Sequence, residues 1–441
     1  SNLKPINIYE CGVIKSDMRK RGEKSGIFWG WFVVAGVFII LSASYGSRYC
    51  FGVFVRPMSV EYQWSMTIIS FGASINLFMY AVGGILSGWL LDRMAPRWIM
   101  TFGAVITATG FVMVSFLQTP LQFYLSYGVL CGLGSAGVGV VVGGSSVGKW
   151  FIRKRGVAVG IASMGIGVGT MILTPVAGYI VKNYDWRNGF IFFGILILIV
   201  GVILSQVFMG KANPELYGLS PDGEKVQKDQ EEPMLETGID AKVSLAPVLT
   251  DSRFWILAIC FSLAIMAPMM AFVHQVTYAI SNNIDKIAAA SSIGVIGIAS
   301  IFGRFFFGWF SDRIQDAKYS ASLGFFIMAA GMLILLKATT AKLLFVYALV
   351  FGFGYGCLAP MMPVLLADRF GRYVLGSAYG WLTFFVAGFG GSLGPVLGGF
   401  IYDKFGSYTG AWLFDAVMLL AVALVMLTLK GRNSSFVSKK P

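Results

Sequence analysis

The chain is predicted to be an all-α membrane protein with twelve transmembrane helices in two six-helix halves, and three observations predict it. Charged residues are 12% of its 441 residues, against about 25% in a typical soluble domain, and the mean hydropathy is +0.74. Twelve apolar runs are each long enough, at roughly 17 residues or more, to cross a bilayer as a helix. The two halves also repeat. Adding 220 to the numbers of Gly88, Trp89, Asp92 and Arg93 gives Gly308, Trp309, Asp312 and Arg313. The same step carries Tyr127, Gly156, Pro175 and Gly178 to Tyr347, Gly376, Pro395 and Gly398. A repeat of half the chain, built from long apolar runs, is the pattern of a two-halved bundle with a site between the halves.

In chain order, residues 1–27 are a polar, basic N-terminal segment without the short apolar core of a cleaved signal peptide, so the first helix is expected to stay as an anchor. The first half, 28–209, holds spans near 28–54, 65–91, 98–117, 121–148, 156–181 and 187–209. Residues 210–253 carry Pro214, Pro221, Pro233 and Pro247 among intermixed charges. They read as a solvated cytoplasmic linker, with a docking role as the alternative. The second half, 254–429, holds spans near 254–280, 287–310, 319–336, 342–366, 374–400 and 408–429, and residues 430–441 form a tail.

Lys and Arg are retained on the cytoplasmic side of short loops. With the N-terminus inside, 25 of the 34 fall on that side and seven on the other, namely Arg56, Lys182, Arg187, Lys286, Lys337, Lys342 and Lys404. Both termini are therefore expected in the cytoplasm, in a multi-pass protein of the cell (inner) membrane. The formal net charge of +13 is then mostly topological and needs no nucleic-acid partner. Arg48 and Arg304 remain inside spans. The five cysteines form no CxxC pair, so neither a disulfide framework nor a metal cluster is expected.

Two nucleotide-like spacings are decoys. Gly143, Gly148 and Lys149 have phosphate-loop spacing, but Trp150 stands where a Ser or Thr must reach magnesium. Gly132, Gly134 and Gly137 have dinucleotide spacing, but inside a helix. Small residues instead let membrane helices approach closely. The sequon at Asn433 falls on the cytoplasmic side. No cofactor is expected.

Gly88, Trp89, Asp92, Arg93 and Arg97, echoed by Gly308, Trp309, Asp312 and Arg313, resemble the signature of the major facilitator superfamily. The resemblance covers essentially all twelve helices and implies the major facilitator fold. An aspartate at a helix end, beside cations and a neighbouring helix terminus, makes a charge latch that opens and closes. Asp92, Arg93, Arg97, Asp312 and Arg313 are thus the expected gate, asymmetric because Ala317 matches Arg97. Gly165, Gly167, Gly169 and Pro175 on helix five, with Gly390, Gly394 and Pro395 on helix eleven, resemble that superfamily's paired glycine-proline helices. Such helices suit a sliding seam, or tight packing alone.

Within the superfamily, Trp29-Gly30-Trp31, the run from Trp150 to Gly160, Asp185-Trp186-Arg187 and an arginine in helix eight are similar to the monocarboxylate transporter family. Departures are visible too. Gly26-Ile27-Phe28 replaces the acid and glycine before the tryptophan pair, the family's helix-one lysine falls at about Tyr49, and Ser300 replaces the aspartate of animal members one turn before Arg304.

Arg304 is the residue expected to carry the chemistry. A charge at bilayer depth costs about 2.5–3.5 kcal/mol on insertion scales, so it persists where it faces a cavity or a partner. Its guanidinium can grip a carboxylate with two parallel hydrogen bonds; a salt bridge within the protein is the alternative. With Ser300 in place, a coupled proton needs another carrier. His274, the only histidine, belongs to the residue type that titrates near neutrality and is a candidate for the carrier or for a substrate ligand, with a hydrogen-bonded structural role as the alternative; Asp415 on helix twelve is the second carrier candidate.

Helices one, four, seven and ten line the cavity in the superfamily. The resemblance therefore implies Tyr355, Cys357, Tyr127, Cys131, Tyr45, Arg48 and Tyr49 as lining, with Asn76 on helix two and an apolar wall of Phe384 and Phe385 on helix eleven. Packing alone is the alternative for most of them. The implied function is a secondary transporter of small monocarboxylates such as lactate or pyruvate, moved with a proton by alternating access, and monomeric in the lipid bilayer. A rival is an oxalate/formate-type anion exchanger, disfavoured because residues 374–400 hold no lysine. A transporter-like metabolite sensor is the alternative of another class. An enzyme is not expected, since no nucleophile and base stand at useful spacing.

Overall fold

The computed structural model describes residues 28–211, 213–223 and 245–431. The N-terminal segment 1–27 with Cys11, the Asn433 sequon and linker residues 224–244 lie outside the described residues. All twelve expected spans are helices: α1 (Trp29–Tyr62), α2 (Thr67–Leu91), α3 (Pro96–Val114), α4 (Pro120–Trp150), α5 (Arg155–Asn183), α6 (Trp186–Phe208), α7 (Ser252–Ser281), α8 (Lys286–Ser311), α9 (Ala317–Leu335), α10 (Ala341–Phe370), α11 (Leu375–Phe405) and α12 (Thr409–Leu427).

Local chemistry sets many of their starts. The side chains of Ser65, Asp185, Asp251, Asp285, Asp316 and Thr340 accept from first-turn N–H groups, satisfying donors that a helix start leaves unpaired. Pro96 and Pro120 open α3 and α4, where a missing N–H costs nothing. α1 runs eight residues past its expected end. It breaks at Cys50, continues through Pro57 with Phe54 and Met58 buried against the first half, and stops at Gln63 in the left-handed conformation (φ 53°).

The buried apolar side chains form two cores, one within α1–α6 and one within α7–α12 that also takes in Val141 of α4. The halves meet mainly through α5 against α8 and α2 against α11. At one end of this seam the backbones touch. Gly156 lies on Gly308, Gly88 on Gly376, and Gly380 on Gly84, so closely that a side chain would strike the partner's backbone. Toward the other end α5 and α8 part, and a methyl group placed on Gly178, Gly294 or Gly297 meets nothing within 4 Å. The molecule is thus closed at the end that carries Asp92 and Asp312.

The linker departs from its expected form. Residues 213–223 are not free in solvent but fold into two short turns, Pro214–Tyr217 and Pro221–Gly223, the second docked against the loop before α5.

Candidate functional site

The repeat's two motifs come together crosswise. Asp92, at the end of α2, accepts the N–H groups of Gly376 (3.1 Å) and Ser377 (2.7 Å) in the first turn of α11. Asp312, at the end of α8, accepts those of Gly156 (2.6 Å) and Val157 (2.7 Å) in the first turn of α5. A helix N-terminus offers unpaired N–H groups and the positive end of its dipole, so each carboxylate has a ready receptor in the opposite half. Lys149 joins Asp92 at 3.1 Å, and Arg155 crosses the seam to Asp368 at 2.9 Å. Burial pushes the Asp312 carboxyl up to about 6, against the lowering effect of its two N–H bonds.

None of the expected gate cations contacts Asp92 or Asp312 among the described residues. Arg93 and Arg313 fold back over Trp89 (4.1 Å) and Trp309 (4.5 Å), and Arg97 over Trp98 (5.3 Å). A guanidinium over an indole face gains about 0.5–1 kcal/mol at an exposed site, comparable with an exposed ion pair. The latch cations, Lys149 and Arg155, come instead from the end of α4 and the start of α5. Lys149 was legible only as part of a rejected nucleotide motif.

Arg304 lies eight residues before Asp312, about 12 Å deeper along α8, and is 4% exposed. Helical side chains lean toward the helix N-terminus. Its Nη1 accordingly donates to Ser300 Oγ one turn back (3.0 Å), and Ser300 can accept because its own proton goes to Gly297 O. The guanidinium carbon sits 5.9 Å from the Tyr355 ring centre, Tyr45 and Tyr49 are electrostatic neighbours, and Nε has no partner. A methyl group on Gly167 of α5 would lie 3.0 Å from Nη1, so the side chain reaches the seam. Among the described residues no carboxylate lies within ion-pair distance of Arg304, so the internal salt bridge is not formed.

Arg48 comes from α1 in the other half. Its guanidinium lies 4.2 Å over Tyr80, whose hydroxyl is 2.6 Å from that of Tyr45. It makes no hydrogen bond or ion pair among the described residues. Tyr45 is within electrostatic reach of both arginines, and Tyr49 is exposed beside it. Arg304, Tyr355, Tyr45, Tyr49 and Arg48 are therefore one cluster, drawn from both halves.

Tyr127 and Cys131 lie within electrostatic reach of Arg48, while the other expected lining residues make their contacts elsewhere. Tyr127 is buried and stacked on Phe51 (4.3 Å), and Asn76 donates to its carbonyl (2.7 Å), serving a widened π-helical stretch of α4, Tyr124–Cys131. Both belong to the core of the first half, because π geometry leaves a carbonyl needing an outside donor. Phe385 packs on Trp255 of α7 (5.1 Å) and Phe384 on Trp381 (6.0 Å), away from Arg304. Cys131 and Cys357 are buried.

His274 is part of a separate contact. Its ring nitrogens meet Pro395 O (2.9 Å) and Tyr408 Oη (3.3 Å), in the opposite third of the bundle from the latches. Asp415 is fully enclosed, and neither of its oxygens has a donor. Its electrostatic neighbour Tyr347 donates to Gln275 (2.7 Å). Gln275, Tyr347 and Asp415 each stand six residues from the same end of their helices, which gives them a common depth of about 9 Å from that end. Gln275 was passed over in the sequence although a glutamine within a span is a legible signal.

Comparison with known proteins agrees with this geometry. The sequence profile described as the Major Facilitator Superfamily matches residues 37–395 and 317–441. The chain is 26% identical to monocarboxylate transporter 12 of Mus musculus, over 90% of this chain and 85% of that one. It is 27% identical to monocarboxylate transporter 1 of the same species, over 93% and 87%. Among solved structures it is similar to the major facilitator transporter FucP in its outward conformation (TM-score 0.68, 12% identity, 90% of this chain and 98% of that one). It is also similar to the proton:xylose symporter XylE (TM-score 0.70, 14% identity, 91% and 96%).

Proposed function

The chain belongs to the major facilitator superfamily, a multi-pass membrane protein related to the monocarboxylate transporters, and on that premise we propose that it carries small monocarboxylates of the lactate and pyruvate kind across the cell membrane. The observation that carries this reading is Arg304, a guanidinium at the seam of the halves with unmet donors and no protein carboxylate. A negatively charged cargo supplies the missing acceptor through two parallel bonds. Arg48, Tyr45, Tyr49 and Tyr355 complete the lining. The latch end is the cytoplasmic end, with both termini there. Transport proceeds by alternating access, in a monomer, as the two cores rock about the glycine-lined seam. This conformation then faces outward.

A proton accompanies the anion. His274 is committed to a carbonyl and a tyrosine, which leaves Asp415, with both oxygens lacking donors, as the carrier candidate. Exchange of organic anions is a second reading, favoured by Tyr45 lying within electrostatic reach of both Arg48 and Arg304, two cations that suit a dianion.

Labelled lactate uptake into proteoliposomes tests these. Accumulation that follows an inward proton gradient supports symport, uptake only against trapped internal anion means exchange, and binding without flux marks a sensor. The Arg304→Ala variant is expected to lose uptake by at least about 100-fold with its fold retained, and Arg304→Lys to recover only part, because the bidentate grip is gone. Asp415→Asn is expected to abolish gradient-driven accumulation while leaving lactate exchange. If Arg304→Ala transports normally, the reading fails.

A further inference from the structure

The short linker turns grip both sides of the closed gate. α6 ends at Phe208 on the latch side, and the chain then runs across that face. Asp222 accepts three consecutive backbone N–H groups, from Ile152 (2.9 Å), Arg153 (2.9 Å) and Lys154 (3.2 Å). Successive N–H groups converging on one carboxylate form an anion-binding concavity. Asp222 holds φ 60°, a region that aspartate enters more readily than most residues, and Gly223 beside it (φ 75°) lies against Phe28, which packs on Trp150 and Phe151. These contacts all lie within the first half and its extension. Glu215, seven residues earlier, pairs instead with Arg372, in the loop of the second half just before α11. Arg372 also donates to Lys149 O (3.4 Å).

We infer that residues 213–223 are a brace that favours the closed gate, with Glu215 making its state-dependent contact and Asp222 as the positioning residue that presents it. The two loops it holds lead directly into the helix starts that grip Asp312 and Asp92. Asp222 moves with the first half in either state. Glu215–Arg372 spans the halves, so it breaks when Asp92 leaves α11. An interaction made in one state and lost in the other shifts the population by its differential free energy. The inference rests on the two-state gate of the proposed transport cycle.

The test uses the full chain in proteoliposomes with spin labels at Trp98→Cys and Tyr319→Cys, exposed positions (42% and 47%) at the starts of α3 and α9, one per half. Cys11 is replaced by serine, and the four described cysteines are buried. Double electron–electron resonance reads short (closed) and long (open) separations. Glu215→Gln and Asp222→Ala are each expected to raise the long-to-short ratio about fivefold, the size a partly exposed pair supports. The double variant is expected to do no more than either alone, because the two residues act in series. A ratio unchanged in both single variants, or additive effects in the double, overturns the brace. A single separation in the unaltered protein, with or without lactate and across pH 5 to 8, overturns the two-state gate itself and the brace with it.

Discussion

The latches at Asp92 and Asp312 are built from the same repeated residues, yet they differ in charge. Each carboxylate holds two N–H groups of a helix start in the opposite half. Asp92 also has Lys149, and both side chains are nearly enclosed, at 2% and 5% exposure. The repeat places Arg369 where Lys149 stands, but Arg369 turns to Asp316 at 2.6 Å, leaving Asp312 with no cation in ion-pair distance among the described residues. The diversion traces to one position, because Asp316 occupies the place that Pro96 has in the first half. Duplication therefore preserved the geometry of the gate, while a change outside it decided which latch has a cation in contact; Arg155 acts on Asp312 only from a distance. The asymmetry expected from Ala317 and Arg97 is present, but it comes from Lys149 and Arg369.

Replacing Lys149 breaks this comparison most sharply. Removing one partner of a buried pair leaves the other charge uncompensated, at about 3–5 kcal/mol. Lys149→Ala is expected to shift the gate open and lower lactate uptake by at least about tenfold, whereas Arg369→Ala leaves the open-to-closed ratio of spin-label separations within about twofold. Equal effects would remove the distinction between the latches.

A smaller effect follows from protons. Burial holds Asp312 at about 6 in the closed latch, while opening returns it to water and to an ordinary carboxylate near 3.9. The closed state therefore binds a proton more readily. That contribution to closure is full below about pH 4 and is lost as pH rises through about 6. The open fraction is expected to fall between pH 7 and 5, and Asp312→Asn should flatten the dependence in the same spin-label measurement. Smallest of all, Arg93→Ala and Arg313→Ala should change uptake by less than about twofold, since both side chains rest on their own tryptophans. A large loss in either would return them to the gate.

Much of the site was legible because certain residues are costly where they stand. Arg304 announced itself as a charge within a span, and Asp92 and Asp312 as acids at helix ends beside a glycine motif. The cluster of Arg48, Tyr45, Tyr49 and Tyr355 followed from helix number. Asn76, Phe384 and Phe385 make their contacts away from Arg304, because a helix presents several faces and its number does not say which one meets the seam. Asn76 in particular serves a carbonyl left over by a π-helical stretch, a backbone irregularity with no sequence signature of its own. The linker's mixed charges read as solvated, yet Asp222 and Glu215 each found a specific partner in a loop far along the chain.

The sequence by itself determined the twelve spans, the doubled architecture and the two arginines within spans, because hydropathy, length and repetition act locally and each residue carries its own cost in lipid. Only the tertiary structure decided that Asp92 grips the second half and Asp312 the first, that Lys149 is a latch residue, and that Arg369 is diverted. Those outcomes depend on residues 53 to 285 positions apart competing for the same few N–H groups and charges. Such a competition is settled by distance in the folded chain, and spacing along the sequence does not encode that distance.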